Sequence, residues 1–278
     1  MHTWDWEWDE SLYAGSAPYY VTGRMPYPEV LPAVLRDRLG LDGAGRLLDV
    51  GCGPGSLTLP LAPLFEAAVG VDADPDMIAE ARRGAGRLRL HHVTWRHLRA
   101  EELPADLGTF RVVTFAQSFH WMDQPVVARR VRTMIEPGGC WVHVFATTDR
   151  GVPGDDPLDH PRPPWDAIGE LIARYLGPVR RAGRGVLPTG TRSGEEDVMR
   201  GAGFAGPERV EVRRGEVVTR SADDVVAAVF SLSGSAPHLF GERRGAFEDD
   251  LRGLLRESSP GGLFCERARE VALVIWRP

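Results

Sequence analysis

"LLDVGCGPGS", residues 47–56, reads as a buried strand running into a glycine-rich turn and then the start of a helix. Such turns bring backbone close to a nucleotide-like ligand, and several ligands with different chemistries use one. The spacing here is Gly51-x-Gly53-x-Gly55, with Ser56 where a dinucleotide fingerprint has its third glycine or alanine. As a bare pattern the turn also fits a tight connection that holds nothing. Its neighbours narrow the reading. Asp49 lies in the strand just before the turn, where it could accept a hydrogen bond from a ligand ammonium or brace the N–H groups of the loop. A pyrophosphate gains nothing from a carboxylate there. The next strand, "AAVGVD" (67–72), ends in Asp72, 17 residues beyond Gly55. That is close to the offset of ~20 residues at which an acid meets ribose hydroxyls. A strand-ending aspartate can equally cap a turn or helix.

Strands and helices alternate outward from this stretch. "PEVLPAVLRDRLG" (28–40) has apolar positions at helical spacing and Gly40 as a stop. "SLTLPLAPLF" (56–65) reads as a helix capped by Ser56, weakened by its prolines. "DPDMIAEARR" (74–83) is a helix with Asp74 as N-cap and Pro75 in its first position. "RLRLHHV" (87–93), "FRVVTFAQ" (110–117) and "GGCWVHVFA" (138–146) read as strands and "QPVVARRVRTMI" (124–135) as a helix. This order predicts an α/β fold: a Rossmann-like, doubly wound, seven-stranded, mostly parallel sheet with helical cap elements over the carboxyl ends of its strands. Ligands of such sheets sit at that edge, where the 51–55 turn, Asp72 and residues 117–121 all fall.

From 147 to 190 the pattern breaks into a proline- and aspartate-rich loop, a helix "WDAIGELIARYLG" and an arginine-rich loop "PVRRAGRG". Further helices and strands follow, closing in "REVALVIWR". Residues 1–28 show no clean periodicity.

Composition sets limits. The formal net charge of −6 argues against a nucleic-acid partner. No apolar run approaches the ~18–20 residues that span a bilayer. The acidic, aromatic start "MHTWDWEWDE" lacks the basic and apolar regions of a signal peptide, which predicts a cytoplasmic protein. Three cysteines, Cys52, Cys140 and Cys265, form neither a disulfide framework nor a metal-ligand set. All 33 basic residues are arginine, so a Walker-type P-loop, Schiff-base chemistry and a lysine general base are excluded.

"LLDVGCGPGSLTLPLA", "VGVDADPDMIAEAR", "RAEELP", "FRVVTFAQSFHWMD" and "IEPGGCWVHV" together resemble the motif series of class I S-adenosylmethionine-dependent methyltransferases. They look most like the small-molecule branch with the trans-aconitate and ubiquinone/biotin-pathway enzymes. The resemblance is strong over residues 10–146 and loose beyond. It implies S-adenosylmethionine as cofactor, with Gly51, Cys52, Gly53 and Gly55 under its methionine and ribose and Asp49 beside the turn. Asp72 would hold the ribose hydroxyls, Ala73 and Met77 would flank the adenine, and Ala100 and Glu101 would lie beside its amine. Ala116 and Gln117 would run along the methionine. It also implies a lid or cap over 1–45, a cofactor-binding core over 46–146, a substrate-cap insertion over 147–190 and completion of the sheet with cap helices over 191–278.

For the acceptor, "SFHWMD" (118–123) follows the fourth strand, and His120 is the candidate general base or nucleophile-orienting group, with Trp121 beside it. A packed His-Trp pair is the plainer reading. His91, His92, His97 and His143 have weaker claims, none with metal-ligand spacing. "AGSAPYYVTGRMPYPEV" (14–30) resembles the branch's entry segment, which makes Tyr20 and Arg24 substrate-side candidates; Arg24 could pair with a carboxylate of cofactor or substrate, or simply lie at the surface. The tryptophans at 4, 6 and 8 suit a lid over an apolar substrate, a homo-oligomer contact or ordinary core. Arg180, Arg181 and Arg184 could meet an acidic substrate or form a solvated loop.

The expectation is in-line methyl transfer to a small molecule, an apolar or aromatic secondary metabolite, with a small carboxylic acid as rival acceptor. An NAD-dependent oxidoreductase is disfavoured by Ser56, Asp49 and the 118–121 segment. A non-catalytic cofactor-binding or scaffold protein is the third reading.

Overall fold

The computed structural model describes residues 9–182, 185–186, 194–213 and 215–278. Trp4, Trp6, Trp8 and Arg184 lie outside the described residues. The chain opens with α1 (Ala17–Gly23) and α2 (Leu31–Leu39), then β1 (Arg46–Val50), α3 (Thr58–Leu61), β2 (Ala67–Asp72), α4 (Pro75–Leu88) and β3 (Val93–His97). It continues through β4 (Phe110–Ala116), α5 (Gln124–Arg132), β5 (Ile135–Phe145), α6 (Trp165–Leu176) and the two-residue strands β6 (Arg181–Ala182) and β7 (Gly185–Val186). Next come α7 (Glu195–Gly201), β8 (Ala205–Val212), β9 (Val217–Ser221), α8 (Ala222–Phe230), α9 (Arg244–Ser258), β10 (Leu263–Arg267) and β11 (Val271–Arg277).

These elements form two compact units. One comprises Pro26–Ala146, Thr191–Arg214 and Glu270–Pro278; the other comprises Met1–Met25, Thr147–Gly190 and Gly215–Arg269. The first is built on a seven-stranded sheet of order β3-β2-β1-β4-β5-β11-β8. Strands β1 to β5 pair in parallel, and β11 runs antiparallel between β5 and β8. Residues alternate between the two faces of each strand, so neighbours in sequence enter different cores. Leu48, Val50, Val69, Val113 and Trp141 pack on one face; Leu47, Ala68, Val112, Val142 and Leu273 pack on the other. Burial on both faces is why the strands read as near-continuous apolar runs.

The second unit packs α6, α8 and α9 around Leu171, Val229, Phe230, Phe247 and Leu251. At its centre Arg220 and Glu266 form a buried ion pair, Nη1 to Oε2 at 3.0 Å. Arg220 also donates to the carbonyls of Gly23, Asp149 and Asp224, at 2.7–3.0 Å. Glu266 accepts from Gly151 N and Trp165 Nε1, both at 2.7 Å. Fully paired in this way, the two charges avoid the penalty of isolated burial.

The local readings hold with specific exceptions, the largest being the strand expected over 87–93: residues 87–88 finish α4, and β3 runs instead over Val93–His97. Asp74 caps α4 as expected, accepting from the backbone N–H groups of Asp76 and Met77. The expected helix over 56–65 shrinks to α3 and one 3-10 turn (Ala62–Leu64), with no side-chain cap from Ser56. Pro60 and Pro63 explain this, because neither carries an N–H to extend a helical ladder. Strand β5 begins at Ile135, so α5 stops at Arg132 rather than 135. Helix α1 and strand β10 were not expected: α1 has seven residues and no long periodicity, and β10 carries the buried Glu266 within a short apolar run.

Helix α1 lies on α8 at Gly23. A Cβ there would stand 2.3 Å from the backbone carbon of Ala227, a distance no packed side chain tolerates. Gly23→Ala should force the two helices apart and destabilise the chain by about 1–3 kcal/mol. A thermal midpoint equal to that of the parent would contradict this packing.

Candidate functional site

The turn after β1 is held by β2. Gly51 N and Cys52 N both donate to Val71 O, at 2.8 and 3.0 Å, and Gly55 N closes the turn on Cys52 O at 3.0 Å. Gly51 and Gly53 have φ of +69° and +54°, a region glycine enters without steric cost. At Gly51 the demand is also spatial: a Cβ would sit 2.4 Å from the Cβ of Ser118. At Gly53 a Cβ would meet nothing within 4 Å. The turn is therefore packed against protein on one side and open at its middle glycine.

Asp72 fixes the open part. Its Oδ2 accepts from Gly53 N at 2.7 Å and its Oδ1 from Asp74 N at 2.9 Å. Burial pushes its carboxyl up to about 6, against the lowering effect of those two N–H donors. Asp49 is wholly buried and accepts from the hydroxyls of Thr58 and Thr114, at 2.5 and 2.8 Å. Its carboxyl too is pushed up to about 6 by burial. Asp49 thus ties β1 to α3 and β4, with the Thr58 backbone N–H as a further donor that works against the effect of burial. Cys52 is buried beside Asp72 and Asp49, and burial raises its thiol well above the ordinary range.

The remaining expected cofactor residues follow the strand ends. Ala73 is half-buried, with its carbonyl 3.0 Å from His97 Nε2. Met77 is buried in the first turn of α4. Ala100 and Glu101 start a 3-10 turn after β3, where Glu101 Oε1 accepts from Asp123 N at 2.8 Å. Ala116 ends β4, and Gln117 follows it, exposed, with φ of +55°. A non-glycine residue held there is strained, and such strain collects at functional edges.

His120 and Trp121 occupy a 3-10 turn (Phe119–Trp121) just past β4, their rings 4.9 Å apart, His120 half-buried and Trp121 buried. Tyr20 and Arg24 belong to the other unit. Arg24 lies 4.5 Å over the Tyr20 ring, donates to Ser231 Oγ and O at 2.8 and 3.0 Å, and stands 3.8 Å from Asp149. Its guanidinium is thus engaged by the chain's own groups.

Two supporting residues, Trp95 and Glu195, escaped the sequence reading, as did the packing role of Ser118. Ser118 donates to Val50 O at 2.6 Å and fills the space beneath Gly51. Trp95 on β3 fits against Gly70, where a Cβ would lie 2.4 Å from its ring. The glycine inside β2 was the available signal, since strand glycines mark close approaches. Glu195 at the start of α7 stands 3.9 Å from Nδ1 of the buried His143; burial pushes Glu195 up to about 7 and His143 down to about 3.

Comparisons with known proteins agree on the class. Residues 47–139 match the family model described as "Methyltransferase domain". An uncharacterized methyltransferase of Mycobacterium tuberculosis is 32% identical over 179 residues, covering 62% of this chain and 63% of that protein. The chain therefore spans just under two thirds of the length of such curated relatives. The 2-heptyl-1-hydroxyquinolin-4(1H)-one methyltransferase of Mycobacteroides abscessus is 28% identical, covering 60% of this chain and 74% of that protein. Among solved structures, the [4+2]-cyclase SpnF superposes with a TM-score of 0.51 at 19% identity, covering 96% of each chain. The chain carries a methyltransferase domain of the class I, Rossmann-like fold. S-adenosylmethionine is the cofactor of this class, and the open glycine at 53 beside a strand-end carboxylate fits it.

The pH response of the site has a definite sign. Asp72 ionises near 6 in the fold against 3.8 unfolded, so its ionisation opposes folding as pH rises from about 4 to about 6. Were Asp72 to accept ribose hydroxyls, its ionised form would instead bind S-adenosylhomocysteine more strongly across that window. Affinity should therefore climb between pH 5 and 7, and Asp72→Asn should flatten the profile. A flat profile in the parent protein would contradict the assigned ionisation.

Proposed function

We propose that this chain transfers a methyl group from S-adenosylmethionine to a small molecule with an apolar or aromatic body, by in-line displacement. The observation that carries the reading is the pairing of an open Gly53 with the Asp72 carboxylate that anchors it. When bound, the cofactor supplies a methyl group on a sulfonium, already activated for attack. The chain's own part is then chiefly to position groups and exclude water. Asp72 would accept hydrogen bonds from the ribose hydroxyls while holding the loop N–H in place. Met77 would offer an apolar surface to the adenine, and Ala116 and Gln117 would line the methionine portion. His120, past the end of β4, would take the proton an O- or N-nucleophile loses. The mycobacterial quinolone methyltransferase supports an acceptor with an aromatic ring and an apolar chain.

Isothermal titration separates this reading from a dinucleotide enzyme: S-adenosylhomocysteine should bind and NAD should not. The reverse would overturn it. Asp72→Ala should weaken S-adenosylhomocysteine binding about 10- to 100-fold, the worth of hydrogen bonds to a charged group. His120→Ala should keep that affinity while lowering turnover by ~10²–10⁴. Turnover at the parental rate would remove His120 from the chemistry. The SpnF likeness is a likeness of fold, and one fold hosts many activities. Transfer of labelled methyl to an acceptor is therefore the deciding measurement.

A further inference from the structure

The helical unit holds a cavity of about 680 Å³, a volume that suits a small organic ligand. Its charge is out of keeping with the chain. Four arginines line it, Arg150, Arg180, Arg181 and Arg269, in a protein whose formal net charge is −6. Among the described residues the single acidic side chain in the lining is Asp149, and that carboxylate is already shared between Arg150 at 3.1 Å and Arg24 at 3.8 Å.

Three of these arginines are held through Nε. Arg150 Nε contacts Asp149, Arg181 Nε donates to Leu176 O at 3.3 Å, and Arg269 Nε donates to Gly151 O at 3.0 Å. Contacts at Nε orient the guanidinium plane and direct the terminal nitrogens, the fork that pairs with a carboxylate, away from the anchor. Arg180 is exposed, and its stem runs along Gly234, 3.6 Å from where a Cβ would be. The apolar part of the wall includes Ile172, Ala173 and Leu176 of α6 and Leu232 beyond α8, and Thr147 and Ser235 add hydroxyls to it. A compact inorganic anion would leave that apolar surface uncovered, and a neutral hydrocarbon would leave Arg180, Arg181 and Arg269 without an acidic partner in the lining.

The geometry points to a binding site for an amphipathic organic acid, its carboxylate held by Arg180 and Arg269 and its apolar body against α6. This goes beyond the methyl-transfer reading, which says nothing of charge on a second ligand, and it stands or falls separately.

The test is isothermal titration of the full chain with octanoate, octan-1-ol and inorganic phosphate, with S-adenosylhomocysteine titrated in parallel. Octanoate should bind at least about 10-fold more tightly than either comparison ligand. Arg180→Gln, at an exposed position, and Arg269→Gln should each weaken octanoate by about 10-fold or more, with S-adenosylhomocysteine affinity kept. Octanol binding as well as octanoate would reduce the site to an apolar hollow and overturn the inference. Phosphate binding as tightly as octanoate would overturn it too, as would octanoate affinity indifferent to both substitutions. The comparison among ligands on the parent chain decides the matter even where a variant folds poorly. Failure of the parent to bind S-adenosylhomocysteine would count instead against the methyl-transfer reading.

Discussion

A carboxylate with no access to water sits in the middle of the parallel sheet, and the site is arranged around it. Asp49 would be costly to bury alone. Two threonine hydroxyls, from the helix after the turn and from the neighbouring strand, donate to it. Those bonds fix where α3 begins relative to β1 and hold β4 in register beside them. The glycine turn between β1 and α3 therefore has both ends clamped, and Ser118 closes its underside from the end of β4. With its ends and floor fixed, Gly53 has little freedom except the hydrogen bond it makes to Asp72. A site of this kind is shaped before any ligand arrives, which lowers the ordering cost of binding.

The helical unit uses a different device for the same end. Its pieces come from three separated stretches of chain, and Arg220 reaches the carbonyls of two others while pairing with Glu266. The five donors of a guanidinium suit it to such a junction, where an ammonium would offer a less fixed geometry. In a chain whose basic residues are all arginine, charged groups thus serve as both internal joints and cavity lining.

What could be read in advance divides along the range of the interactions. Strands buried on both faces announce themselves through apolar runs, and Asp74-Pro75 marks a helix start within three residues. The Gly51 turn and Asp72 were legible because the chemistry fixes their spacing. The partner of Asp49 was not, since Thr114 lies 65 positions away and nothing local distinguishes it from other strand threonines. Arg24 illustrates the same limit: its contacts with Ser231 and Asp149 depend on how distant segments assemble, which local sequence does not encode. The short helix α1 fell below the length at which periodicity can speak.

The position of β11 carries a consequence for how the chain reaches this state. It is the last strand in sequence yet lies inside the sheet, between β5 and β8. Strand β8, made earlier along the chain, has no sheet neighbour until residues 271–277 arrive. Its pairing must wait across the whole of α8, α9 and the β9–β10 hairpin. Closure over so long a sequence interval is entropically slow. The five parallel strands can pair without β11, whereas the antiparallel edge of the sheet depends on a contact between distant segments.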